Sequence, residues 1–191
     1  AEDAARLGRV VANVLGFAQL ERGNLHVAAR PSCARDAAAR AIERMRPALT
    51  RAGVEVVLAD GPPVLAAFDD DALARILGNL LDNAEKYGRD AAVRRIDVEV
   101  APIAGGRVEI RVRDHGPGVS AAVARRLFRP FRRGVTADGP NGLGLGLSMS
   151  RALARAMGGE LRYAPPPSGT PGAQFVVTLV AAPSGADGLP L

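Results

Sequence analysis

Residues 79–87 read Asn-Leu-Leu-Asp-Asn-Ala-Glu-Lys-Tyr, the end of a segment that opens on Asp69-Asp70-Asp71 and closes at Gly88. The spacing predicts a helix. Carboxylates at the front suit the free N–H groups and positive dipole end of a helix N-terminus. Leu77, Leu80, Leu81 and Ala84 fall on one apolar stripe. Asn79, Asn83, Lys86 and Tyr87 stand at i, i+4, i+7 and i+8 and share another face. Two amides, one cation and one ring make an unusual polar face. Amide oxygens are hard ligands that suit Mg²⁺ beside phosphate oxygens and water. An ammonium suits phosphate as a compact charge, and a flat ring suits a base. Alone, the same face serves equally as a solvated or capped helix surface.

The flanking chain alternates strand and helix signals. Upstream, residues 4–22 carry an apolar stripe through Leu7, Val10, Val11, Val14, Leu15, Ala18 and Leu20, and Gly23-Asn24 stops it. A short strand is expected over 25–29. Pro31-Ser32 reads as the start of a helix to about Arg51, and Gly53 ends it. Residues 54–58 and 64–68 read as strands, and 96–103 and 108–112 as a hairpin turning at Gly105-Gly106. A short helix near 121–127, a helix over 145–157, strands over 161–164 and 175–180, and a frayed tail from 183 to 191 complete the pattern. Strand runs separated by a few helices predict an α+β sandwich, one sheet with helices on one face.

Two glycine loops follow the hairpin. Asp114-His115-Gly116-Pro117-Gly118 places a carboxylate at a strand end, where it can accept from an exocyclic amine such as that of adenine. Gly142-Leu143-Gly144-Leu145-Gly146-Leu147 precedes a helix, where free N–H groups and the dipole form an anion cradle. It is not the dinucleotide fingerprint, because the third glycine would fall on Leu147. Between them lie Phe128, Phe131, Arg132 and Arg133, a pair of rings able to pin a lid and guanidiniums able to swing toward phosphate. Each loop alone also reads as an ordinary turn, and the Phe pair as plain core.

Composition removes several classes. The net charge of +5 is spread as Arg among acidic residues, without a polybasic block or interleaved aromatics, so no nucleic-acid partner is expected. Lys86 is the only lysine and follows Glu85, which excludes a P-loop. Cys33 stands alone, so no internal disulfide forms, in keeping with a reducing, cytoplasmic compartment. Two histidines, His26 and His115, argue against a His-based metal cluster. No apolar run reaches the roughly 18–20 residues that a spanning helix needs. The first residue is Ala1 rather than Met, so the chain is expected to be an excised fragment, with any inner-membrane anchor of its parent upstream.

The order of these features is more specific than any one of them. An Asn helix, Asp-x-Gly-x-Gly, a Phe pair and Gly-x-Gly-x-Gly before a helix resemble the asparagine, first glycine, phenylalanine and second glycine boxes of sensor histidine kinase catalytic domains. The wider superfamily includes gyrase, a heat-shock chaperone and mismatch-repair ATPases. Gly172-Ala173-Gln174-Phe175 resembles the family's final glycine box. The resemblance covers roughly residues 24–181. It implies a Bergerat-type two-layer α/β sandwich, with a mixed, mainly antiparallel sheet and helices on one face. It also implies an N-terminal helix over 1–23 that is a remnant of the second helix of a dimerisation hairpin. An ATP-binding domain over 24–182 and a tail over 183–191 follow. The implied cofactors are ATP and Mg²⁺, held between the Asn helix and a lid of roughly residues 129–146. Carried over by position, Asn83 is the main Mg²⁺ ligand with Asn79 in support, and Lys86 and Arg133 meet phosphates. Tyr87 lines the base and Asp114 reads its amine. Gly116, Gly118, Phe131, Gly142, Leu143, Gly144, Leu145 and Gly146 shape pocket and lid. His115 stands where small polar residues are usual, and Leu143 where Ser or Thr is frequent.

Hydrolytic relatives resemble this pattern but carry Glu at the position of Asn79, where it orients water. An amide there implies transfer to a separate acceptor, since phosphoryl transfer is largely positioning and charge neutralisation. The family acceptor is a His followed by Glu or Asp on a dimerisation hairpin, which later serves a response regulator. His26 precedes Val27 and His115 lies in a glycine loop, so neither matches. Two alternatives stand beside the kinase reading: a superfamily ATPase, and a degenerate pseudokinase or binding module.

Overall fold

The computed structural model describes residues 26–131, 144–166 and 169–183. The helix expected over 4–22, Arg133, Gly142, Leu143 and the tail beyond Pro183 lie outside the described residues. Among the described residues the strands are β1 (Arg30–Cys33), β2 (Glu55–Leu58), β3 (Leu65–Phe68), β4 (Arg95–Ile103), β5 (Arg107–Asp114), β6 (Glu160–Tyr163) and β7 (Gln174–Ala181). The helices are α1 (Ala34–Arg51), α2 (Asp70–Tyr87), α3 (Ala121–Ala124) and α4 (Gly146–Ala156).

The strands form one sheet in the order β1-β3-β7-β5-β4-β2, and β6 pairs with β7 over the stretch that β3 leaves free. All pairs are antiparallel except β2 with β4, which run parallel. Alternation sets the faces. Val98 and Val100 of β4, Val108, Ile110 and Val112 of β5, and Phe175, Val177 and Leu179 of β7 all belong to one buried cluster. Leu73, Ile76, Leu77, Leu80 and Leu81 of α2 complete it, with Ala34, Ala38, Ala41 and Ile42 of α1. Burying each such Leu or Val stabilises the fold by about 1.5–3 kcal/mol. On the other face the Glu109 carboxylate lies between Arg111 and Arg162, and Arg111 also reaches Glu99. The expected two-layer sandwich is what forms.

Two boundaries differ from expectation. Residues 26–29 are not a strand, and Pro31-Ser32 lie inside β1 rather than opening a helix. β1 pairs residue by residue with β3, Pro31 opposite Ala67. An edge strand tolerates a proline's missing N–H, so this non-local pairing prevails over the local helix-start signal. α1 then begins at Ala34, whose N–H donates to the Val64 carbonyl. β5 runs two residues past Val112 because Arg113 pairs with Gln174 on β7. That extension carries Asp114 to the end of a central strand.

α2 is set by its cap. The Asp69 carboxylate accepts from the Ala72 N–H at 2.9 Å and the Ala28 N–H at 2.9 Å. Those two donors, Ala72 foremost, hold its carboxyl below the ordinary range. Gly88 closes the helix, its N–H donating to the Ala84 carbonyl.

Candidate functional site

The last turns of α2, the end of β5 and the start of α4 meet on the helical side of the sheet. Asn79 is half-buried, and its Nδ2 donates to Ser150 Oγ on α4 at 3.0 Å. Its Oδ1 points toward the first residue of α4: a Cβ on Gly146 would lie 2.3 Å from it. Only glycine lets the helix start so close. Leu145, buried, precedes α4 without a side-chain cap. The first-turn N–H groups have no partner within the helix and can meet an anion together with the dipole.

Asn83 lies one turn beyond Asn79, half-buried, and its side chain makes no hydrogen bond among the described residues. Lys86 pairs with Asp82, one turn back on the same helix, both side chains largely covered. This pairing was not foreseen in the sequence, and it holds the Lys86 ammonium against its own helix. Tyr87 is 53% exposed at the helix end.

Asp114 is buried at the end of β5. Its Oδ1 accepts from the Gly116 N–H at 2.9 Å and the Ala173 N–H at 3.0 Å. Its backbone N–H donates to the Ala173 carbonyl at 3.0 Å. Oδ2 carries no hydrogen bond among the described residues. Burial pushes the carboxyl above its ordinary range, and the two backbone donors only partly offset that. The loop around it has no room for side chains. A Cβ on Gly116 would stand 2.7 Å from the Tyr87 carbonyl oxygen, and one on Gly172 only 1.9 Å from that of Asp114. Gly118 abuts Gly172, where a Cβ would stand 2.9 Å from its carbonyl oxygen. The Gly172-Ala173 turn is therefore the back wall of the Asp114 site.

Beyond α3 the two rings diverge. Phe128 is half-buried beneath the Arg151 guanidinium, 4.8 Å from its carbon to the ring centroid. Phe131 is 63% exposed, with φ of 58°, a strained backbone for a bulky residue. Its N–H donates to the Gly144 carbonyl at 3.1 Å, joining the two sides of the segment that holds Arg133, Gly142 and Leu143.

Of the residues expected from sequence, Asn79, Asn83, Asp114, Gly116, Leu145 and Gly146 converge here. Ser150, Asp82 and Ala173 were not anticipated. Ser150 had one faint sequence signal, a hydroxyl beside Met149 on the stripe that continues through Leu153 and Ala154; in the structure it is buried, at 3% exposure. Among the described residues no three His, Cys, Asp or Glu side chains gather as a metal cage. The donors on offer are amide oxygens beside an anion-seeking helix start. That set fits Mg²⁺, which keeps several waters and takes most other ligands from phosphate. No described helix is long and apolar enough to cross a membrane.

The chain is similar to known proteins. The family model described as "Histidine kinase-, DNA gyrase B-, and HSP90-like ATPase" matches residues 68–183. The sensor protein KdpD of Rathayibacter rathayi is 37% identical over 183 residues, which is 96% of this chain and 20% of that protein. The chain thus spans about a fifth of the length of that relative. Full-length ShkA, crystallised with AMPPNP, superposes with a TM-score of 0.78 at 29% identity, covering 95% of this chain and 37% of that one. The mycobacterial sensor histidine kinase MprB superposes with a TM-score of 0.66 at 27% identity, covering 81% of this chain and 98% of that one.

Proposed function

The chain belongs to the histidine kinase-, DNA gyrase B- and HSP90-like ATPase family, as a sensor-kinase ATP-binding domain, and from that premise we propose that it holds Mg·ATP and presents the γ-phosphate to a histidine on a separate dimerisation domain. The observation that carries this is the amide at position 79, tied to Ser150 against the start of α4. Where a hydrolase needs a carboxylate to orient water, this chain has a fixed amide. The neighbouring carboxylates are engaged elsewhere, Asp82 with Lys86 and Glu85 with Arg89 and Arg94.

In this reading Asn83, with Asn79 in support, holds Mg²⁺, whose bound charge neutralises the phosphates. The free N–H groups at the start of α4 take phosphate oxygens. Lys86, released from Asp82, and Arg133 add charge. Asp114 Oδ2 accepts from the adenine amine, and Tyr87 lines the base. Gly116, Gly118 and Gly172 let the backbone close round it. In the transfer, the bond between the γ-phosphorus and its bridging oxygen breaks, ADP leaves, and a phosphorus–nitrogen bond forms at the acceptor imidazole. The acceptor domain removes the imidazole proton. A response regulator then takes the phosphoryl group. The ATP supply places the domain in the cytoplasm, with any membrane anchor on other parts of the parent.

Calorimetry with a non-hydrolysable ATP analogue, with and without Mg²⁺, tests the binding. Labelled ATP and an acceptor hairpin added in trans test the transfer. We expect Mg²⁺-dependent binding and a phosphohistidine on the hairpin, both lost in Asn83→Ala. Absence of nucleotide binding overturns the reading. Multiple-turnover phosphate release by the chain alone, abolished by Asn79→Ala, makes it an ATPase instead.

A further inference from the structure

We infer that His115 is a positioning residue for base recognition, a strut that fixes the Asp114 turn to β4 through Asp97. The inference rests on the nucleotide reading above and extends it to the second residue of the first glycine box and to Asp97 on β4.

The turn at 114–116 is pinned on three sides. On the β7 side, Asp114 exchanges two hydrogen bonds with Ala173. On the α2 side, Gly116 sits against the Tyr87 carbonyl and Gly88. On the β4 side the strand pairing ends at Ile96 opposite Asp114, and beyond it the side-chain contact is that of His115, whose Nε2 lies 2.7 Å from Asp97 Oδ2. An ionised carboxylate only accepts, so Nε2 carries the proton and donates. Asp97 is itself held, because Arg95 Nε donates to its Oδ1 at 2.6 Å. Burial pushes the Asp97 carboxyl up, but hydrogen bonds from His115 and Arg95 outweigh it and keep it below the ordinary range. Arg113 is the cross-strand neighbour of Asp97, yet its Nη2 faces the Pro171 carbonyl at 3.4 Å. The contact to Asp97 from the turn therefore comes from His115 alone among the described residues.

The strut acts on geometry. Oδ1 of Asp114 is committed to the Gly116 and Ala173 N–H groups, so where Oδ2 points depends on the placement of residues 114–116 as a unit. Losing the His115 contact leaves residues 115–116 without a side-chain tie to β4 beyond the end of the strand pairing, so the turn can shift, and a hydrogen bond to a base amine tolerates little misalignment. Phosphate contacts at α2 and α4 lie outside this turn and are untouched.

The test compares ATP with purine riboside triphosphate, which lacks the 6-amine, by calorimetry with Mg²⁺. His115→Ala and Asp97→Ala should each weaken ATP by about five- to tenfold, the loss of roughly one aligned hydrogen bond. Each should leave the amine-free analogue within about twofold, since that ligand lacks the aligned contact. The double variant should be no worse than either single one. His115→Gln, whose amide nitrogen sits near the place of Nε2, should restore most of the ATP affinity. Equal weakening of both nucleotides, additive single effects, or unchanged ATP affinity in the alanine variants overturns the inference while the wild-type chain still binds ATP. A wild-type chain that binds neither nucleotide overturns the nucleotide reading, and the inference with it.

Discussion

Replacing Asp114 with Asn changes little in shape and inverts the polarity at one atom. Oδ1 already accepts from the Gly116 and Ala173 N–H groups at 2.9 and 3.0 Å. The Asn carbonyl keeps both, which forces its NH₂ into the place of Oδ2. In the proposed pose a donor there would meet the adenine amine, another donor. A hydrogen bond to a charged acceptor contributes about 1.5–3 kcal/mol, so ATP should bind about 10- to 150-fold more weakly. Guanine offers an acceptor at the same place, so the preference for ATP over GTP should shrink further. The fold should not suffer. Burial raises the Asp114 pKa, so its folded form holds a proton more readily than its unfolded form. The stability linked to that proton is present below the ordinary carboxylate value and is lost as pH rises through the raised one. At neutral pH the buried charge is therefore a cost, and Asn removes it. Melting without nucleotide should occur at the same temperature or higher in the variant. Calorimetry with ATP and GTP analogues, beside thermal melts across pH 4–8, reads both effects (a window of roughly that width brackets carboxylate titration). ATP affinity within twofold of wild type refutes the assignment. Lost affinity with a collapsed apo melting temperature refutes the reasoning about its partners.

Other changes probe the phosphate end and the frame. Gly146→Ala puts a Cβ 2.3 Å from Asn79 Oδ1, so Asn79 must move; Mg²⁺-dependent ATP binding should fall at least about tenfold while circular dichroism shows the fold retained. Ser150→Ala leaves the Asn79 amide without its partner, and should lower stability by about 1 kcal/mol and slow transfer to an acceptor hairpin less than Asn83→Ala does. Asp69→Ala removes the α2 cap at the cost of about 1 kcal/mol, read as a fall of about 2–4 °C in Tm for a chain of this size. Because the Asp69 pKa is lowered on folding, its contribution is present above the ordinary carboxylate value and is lost as pH falls through the lowered one. The variant's deficit should therefore narrow in acid.

Much of the site was legible before any coordinates, for a local reason. A period of 3.6 residues puts Asn79 and Asn83 on one face whatever the helix packs against. The three Asp residues at 69–71 mark its start. Gly142, Gly144 and Gly146 announce an uncapped helix entry, and α4 does begin at Gly146 without a side-chain cap. Strand alternation likewise predicted the β4–β5 hairpin. The start of the fold was misread because Pro31-Ser32 has the local signature of a helix N-terminus. Its pairing with β3, more than thirty residues away, is invisible to any local window.

The sequence by itself determined which groups exist and which share a face: the amides of α2, the carboxylate at a strand end, the glycines that admit close approach, and the amide rather than Glu at 79. Those follow from residue chemistry and helical or strand period, and their order along the chain suffices for the family. Only the tertiary structure decided what each group touches. It set Asn79 against Ser150, 71 residues on, and Asp114 against Ala173, 59 residues on. It paired Lys86 with Asp82 and gave His115 a partner on β4. Such contacts depend on chain closure across the sheet and on which polar groups become buried together, and a periodicity that repeats every few residues carries no record of either.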